Sequence, residues 1–135
     1  MWTCFMDMHS GGGTKEEPYE YIYIEAGESE AVTVFYNRFG HNPNRVTCTC
    51  CGEDYSIAED STLEQATAYE RGCDFDNATN EYVERPSTSG YSFSKDYQTL
   101  KEYVKKPSVL VIYADSIKPE ERTGEVPVQG YVWEG

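Results

Sequence analysis

The chain has 135 residues, a formal net charge of −13, 39% hydrophobic and 14% aromatic residues. That is enough for one domain, residues 1–135, with a hydrophobic core, and the aromatic content excludes a disordered acidic tail. The charge excludes direct binding of DNA or RNA in a basic groove, because acidic side chains repel phosphates.

Residues 2–9 alternate in character and predict a first strand. Gly11-Gly12-Gly13 follows as a loop. It is not a phosphate loop, since Thr14-Lys15-Glu16-Glu17 is the wrong order and acidic. Tyr19-Glu20-Tyr21-Ile22-Tyr23-Ile24 alternates and predicts a second strand. Ser29 reads as the N-cap of a helix carrying Ala31, Val32, Phe35, Tyr36 and Phe39 at helical spacing, with Gly40 as its stop. Val46 leads into a cysteine cluster and Tyr55-Ser56-Ile57 leaves it, as the two arms of a hairpin.

Ser61-Thr62-Leu63-Glu64 reads as a capping box opening a helix over 61–71, with Gly72 ending it. Residues 74–93 are polar and carry one weak strand signal, at Tyr82-Val83. Ser94 is expected to cap a third helix with Tyr97, Leu100, Tyr103 and Val104 as its buried stripe. Residues 109–113 are the most apolar run and predict a central strand. Gly130-Tyr131-Val132-Trp133 is the last strand signal. Strands and helices mix without a strict βαβ rhythm. The expected class is therefore α+β, a small antiparallel or mixed sheet with about three helices and a zinc-knuckle hairpin.

The charge is uneven: residues 1–94 hold 17 acidic and 5 basic side chains. Such a surface attracts basic proteins. The candidate contacts are Glu16, Glu17, Glu20, Glu53, Asp54, Glu59 and Asp60, with Tyr19, Tyr21 and Tyr23 as aromatic anchors. No apolar run approaches the roughly 20 residues that cross a bilayer, so no membrane is expected. The first nine residues lack a basic n-region and a signal-type core, so the expected compartment is the cytoplasm. There, clustered cysteines bind metal more often than they pair, and an odd count of 5 argues against a disulfide framework.

The strongest local signal is Cys48-Thr49-Cys50-Cys51-Gly52-Glu53-Asp54-Tyr55. It contains Cys-x-x-Cys-Gly, whose spacing puts two sulfurs on one ion at a tight turn. These eight residues resemble the knuckle of zinc-ribbon and treble-clef proteins, which implies structural Zn2+. Structural zinc wants four ligands. Cys73 is the preferred third, because the helix after the knuckle is long enough to bring the chain back. His9 is the choice for the fourth, with Cys4, His41 and Cys50 as alternatives; Cys4 also fits a core position on the first strand. Redox chemistry is disfavoured because no helix N-terminus follows the Cys-x-x-Cys.

No catalytic residue is assigned. The chain has no His-Glu-x-x-His, no Gly-x-Ser-x-Gly and no deaminase pattern. A zinc-dependent enzyme is the least favoured reading.

Three segments carry a wider resemblance: residues 1–13 (Met1-Trp2-Thr3-Cys4-Phe5-Met6-Asp7-Met8-His9-Ser10-Gly11-Gly12-Gly13), Tyr36-Asn37-Arg38-Phe39-Gly40-His41-Asn42-Pro43, and the 48–55 cluster. Over most of residues 1–70 the chain resembles a group of small bacteriophage proteins. That resemblance implies a phage accessory protein acting in the host bacterial cytoplasm. In size, charge and setting it is similar in kind to phage anti-CRISPR inhibitors of type II systems. The implied partner is a host protein with a basic surface, such as the Cas9-type effector, whose nucleic-acid loading it would block. The alternative is a structural or adaptor zinc protein of the phage life cycle.

Overall fold

A computed structural model of the chain describes residues 1–7, 18–48, 55–87, 97–128 and 131–133. Strand β1 (Trp2–Asp7) and strand β2 (Tyr21–Ile24) pair antiparallel, with Cys4 opposite Tyr23 and Phe5 opposite Ile22. Helix α1 (Glu28–Phe39) follows, then the short strand β3 (Val46–Cys48) and strand β4 (Tyr55–Asp60). Helix α2 (Leu63–Ala68) leads to β5 (Cys73–Asp76) and β6 (Glu81–Pro86). Helix α3 (Leu100–Tyr103), β7 (Val109–Ile112), two 3-10 turns and β8 (Tyr131–Trp133) complete the order.

The expected α+β class is present. Its centre is a four-stranded mixed sheet in the order β4-β1-β2-β7, beside the two-stranded pairs β3-β8 and β5-β6. Strands β2, β4 and β7 run parallel to one another and antiparallel to β1. The crossover from β2 through α1 to β4 travels one way across the sheet. The crossover from β4 through α2 and α3 to β7 travels back. Right-handed crossovers in opposite directions put their helices on opposite faces.

The two faces follow from the period-2 alternation of the strands. Phe5, Ile22, Ile24 and Ile112 pack against Ala31, Val34 and Phe35 of α1, with Leu110 and Ile57 at the margin. Trp2, Tyr23 and Val109 pack against Leu63 of α2 and Tyr103 of α3, with Cys4, Tyr21 and Val111 beside them. Each fully buried side chain of this size stabilises by about 1.5–3 kcal/mol.

Several expectations are corrected. Residues 109–113 do not make a central strand: β7 is at one edge of the sheet, pairing with β2 alone. Its apolar run reports two covered faces, since alternate residues feed both cores. The segments at Val46 and at Tyr55 are not arms of one hairpin: β3 pairs parallel with β8, and β4 pairs with β1. The polar stretch 74–93 contains a real hairpin, β5-β6, turned over residues 76–81 with Asn80 at φ 59°. Helix α2 is shorter than 61–71 and starts one residue later than the capping box implied, because Thr62 caps it by accepting from the Gln65 N–H. Helix α3 is capped by Thr99, and Ser94 lies outside the described residues. Gly40 ends α1 at φ +80°, as expected. Among the described residues no helix is long and apolar enough to cross a membrane.

Candidate functional site

The most distinctive surface lies where α2 docks on the β5-β6 hairpin. Gln65 makes that contact with both ends of its amide: Nε2 donates to the Tyr82 carbonyl at 2.9 Å, and Oε1 accepts from the Tyr82 N–H at 3.1 Å. Tyr69 lies four residues further on, hence on the same side, and is 55% exposed. Phe75 of β5 stands opposite Tyr82 of β6, their rings edge-on at 5.0 Å, and Phe75 is 40% exposed. Large side chains left this open cost solvation and gain only when something covers them.

Two carboxylates, Asp60 and Glu70, lie near Tyr82. Burial pushes the Tyr82 hydroxyl up, with Asp60 and Glu70 adding negative charge beside it. Burial likewise raises the Asp60 carboxyl. Asp76 and Glu81 form the next pair of the hairpin, and strand alternation turns them to its other face. Four of the five arginines are paired with carboxylates, two of them, Arg71 and Arg85, at the hairpin itself. Arg38 pairs with Glu121 at 2.7 Å, Arg85 with Asp74 at 2.9 Å and Arg122 with Glu30 at 2.6 Å. Arg71, fully buried, reaches Glu84 at 3.2 Å and donates to Thr67 Oγ1 and to the Glu64 carbonyl. It ties the end of α2 into the fold and offers nothing outward.

The contacts expected from sequence distribute differently. Asp60 ends β4 beside this face, and Glu20 is exposed before β2. Glu59 serves the fold instead, its Oε2 accepting from the Glu28 N–H at 2.7 Å. Glu16, Glu17, Glu53 and Asp54 lie outside the described residues. As aromatic anchors, the three tyrosines of the second strand are corrected. Tyr23 is completely buried, Tyr21 is half-buried with its hydroxyl on Glu70 at 2.9 Å, and Tyr19 packs on the core. Alternation in that strand marks two buried faces, not an exposed one. Tyr69, Phe75 and Tyr82 were missed. Their signal is a pair of aromatics flanking the Asp76-to-Asn80 turn at matching register.

Of the expected zinc ligands, His9, Cys50 and Cys51 lie outside the described residues. Cys48 closes β3 opposite Trp133. Cys73 begins β5 and is buried; burial raises its thiol, while Arg71 pulls it down. Cys4 packs beside Tyr23 in the core, and burial pushes its thiol up to about 12. His41 follows the end of α1. Among the described residues no three of His, Cys, Asp or Glu gather closely enough to hold a metal ion. The described residues alone therefore do not furnish a zinc site.

No protein-family model, no curated protein and no solved structure matches the chain.

Proposed function

We propose that this chain is a non-catalytic, phage-encoded inhibitor that docks its acidic, aromatic face onto the basic surface of a host defence nuclease of the Cas9 type and blocks nucleic-acid loading. The observation that carries the docking reading is the cluster of Tyr69, Phe75 and Tyr82, partly open to solvent with Asp60 and Glu70 near Tyr82, while Arg38, Arg71, Arg85 and Arg122 are each paired within the fold. Aromatic anchors inside a charged rim are the usual composition of an energetic interface centre. The net charge of −13 would steer the encounter with a positively charged nucleic-acid channel. The spacing of Cys48 and Cys51 supports a structural zinc in the same protein. The choice of Cas9 rests on the resemblance to small phage proteins.

The test is co-purification with a panel of guide-loaded bacterial effectors, with DNA cleavage as a second readout. The expected result is a complex that inhibits cleavage and weakens as salt rises from ~0.1 to ~0.5 M. Phe75→Ala and Tyr82→Ala should each weaken it by about tenfold or more. Absence of any complex and unchanged cleavage would remove the inhibitor. Capture of host polymerase or phage proteins, with nucleases unaffected, would favour the adaptor reading.

A further inference from the structure

Beside the docking face lies a cavity of about 340 Å³, between the start of β2, the end of α2 and α3. Glu20, Tyr21, Glu70, Tyr103 and Lys106 give it its chemistry. Its frame is fixed by backbone bonds. The Ser108 carbonyl accepts from the N–H groups of Glu20 and Tyr21, at 2.8 and 3.1 Å. The Gln98 N–H donates to the Arg71 carbonyl at 2.8 Å, joining the chain before α3 to the end of α2. Tyr21 donates to Glu70 Oε2 at 2.9 Å and so fixes one carboxylate in the wall. Glu20 is exposed at the rim. After burial, the negative charges of Glu70 and Glu20 are among the influences that hold the Tyr21 hydroxyl above its ordinary range.

One further contact names the ligand. Lys106 Nζ lies 5.8 Å from the centroid of the Tyr103 ring. The chain thus places its own cation against the Tyr103 ring, which is otherwise almost wholly buried and opens to the carboxylate-lined cavity only where Lys106 leaves it.

We propose that this cavity receives an arginine side chain of the protein partner, which displaces Lys106 from the Tyr103 ring. Arginine fits better than lysine because its planar guanidinium stacks on a ring and meets a carboxylate with two parallel N–H groups. Glu70 lines the cavity, and Tyr69, the residue before it, stands on the docking face. The identity of the ligand as part of a protein rests on the docking reading above; the chemistry of the cavity does not.

The experiment titrates N-acetyl-arginine amide into the full isotope-labelled chain and follows backbone and tyrosine-ring resonances, with N-acetyl-lysine amide as comparator. The expected result is saturable shifts at Glu20, Tyr21, Glu70, Tyr103 and Lys106, tighter for the arginine probe. Lys106→Ala removes the competing cation and should tighten binding by about 2–5-fold; Glu20→Gln should weaken it by a similar factor. Both side chains are exposed, so both variants should fold. No shifts in either the parent or Lys106→Ala, equal binding of the two probes, or weaker binding by Lys106→Ala would overturn the proposal. The probe needs no partner protein. Failure of the nuclease test would leave these shifts in place, and their absence would leave docking through Phe75 and Tyr82 in place.

Discussion

The hydroxyls of Tyr23 and Tyr103 meet at 2.8 Å between the central sheet and α3, 80 residues apart in the chain. Both residues are almost wholly buried. A hydroxyl in that position costs free energy unless bonded, and each supplies the other's partner. Tyr23→Phe should cost about 1–3 kcal/mol, because it strands the Tyr103 hydroxyl; Tyr103→Phe should cost less, because the Tyr23 hydroxyl keeps its hydrogen bond with Cys4. The double variant should cost clearly less than the sum of the two. Urea unfolding of the four proteins gives the cycle; strict additivity would show that the bond carries no coupling.

The same burial makes stability pH-dependent on the alkaline side. Burial pushes the Cys4 thiol from 9.0 up to about 12, opposed by its hydrogen bond with Tyr23. Burial is also the first cause raising the hydroxyls of Tyr21, Tyr23 and Tyr103 above the ordinary 10.0. In each case the folded chain holds its proton more tightly than the unfolded chain. This stability is complete below pH 9 and declines as pH climbs toward 12, the tyrosines joining from pH 10. Each such group adds a slope of about 1.4 kcal/mol per pH unit. Urea midpoints from about pH 8 to about pH 10.5 should fall progressively as unfolding lets the buried groups ionise. The Tyr23→Phe/Tyr103→Phe double variant should flatten the decline.

Helix α1 begins at Glu28 after Gly27, which has no side chain to cap it. The cap arrives from another strand, as Glu59 of β4 places Oε2 2.7 Å from the Glu28 N–H. The carboxylate also faces the positive end of the helix dipole. Glu59→Ala should therefore cost about 0.5–2 kcal/mol. Glu59→Gln, which keeps an acceptor oxygen, should cost less. A Glu59→Ala protein as stable as the parent, measured by thermal or urea unfolding, would remove the capping role.

This cap also shows where sequence reading stopped. Ser29 had the right chemistry for an N-cap, and nothing local said that a residue 31 positions away would do the work. Local signals were legible where the physics is local: Gly40 and Gly72 take the positive φ values expected of helix ends, and the spacing of Ala31 and Phe35 gave the buried stripe of α1. Pairing partners were not legible. Val46 and Tyr55 lie near each other in sequence but join different sheets, because β8 and β1 compete successfully for them. In the site, acidity was legible as composition. The useful aromatics were not, because Tyr23 and Phe75 both sit in alternating segments and only the covering helices decide which face is open. Lys106 over Tyr103 needed three dimensions, since helical spacing marked Tyr103 only as part of a buried stripe.

The metal proposal now turns on Cys73. If Cys48, Cys51, Cys73 and His9 hold a structural zinc, elemental analysis of the full chain should give about one zinc per molecule. Cys48→Ser and Cys51→Ser should each lose metal together with much of the folding stability. Cys73 has a competing explanation. It is buried on β5, burial raises its thiol, and a small apolar residue in that place is ordinary core packing. Packing alone predicts that Cys73→Ala lowers stability modestly and keeps the zinc. Ligation predicts that Cys73→Ala and Cys73→Ser both release it. Burial, only partly opposed by Arg71, favours the protonated thiol in the metal-free fold; the zinc proposal nevertheless expects metal loss in both variants. Full zinc content in Cys73→Ala would return Cys73 to the core and leave Cys48 and Cys51 to share the ion with other ligands.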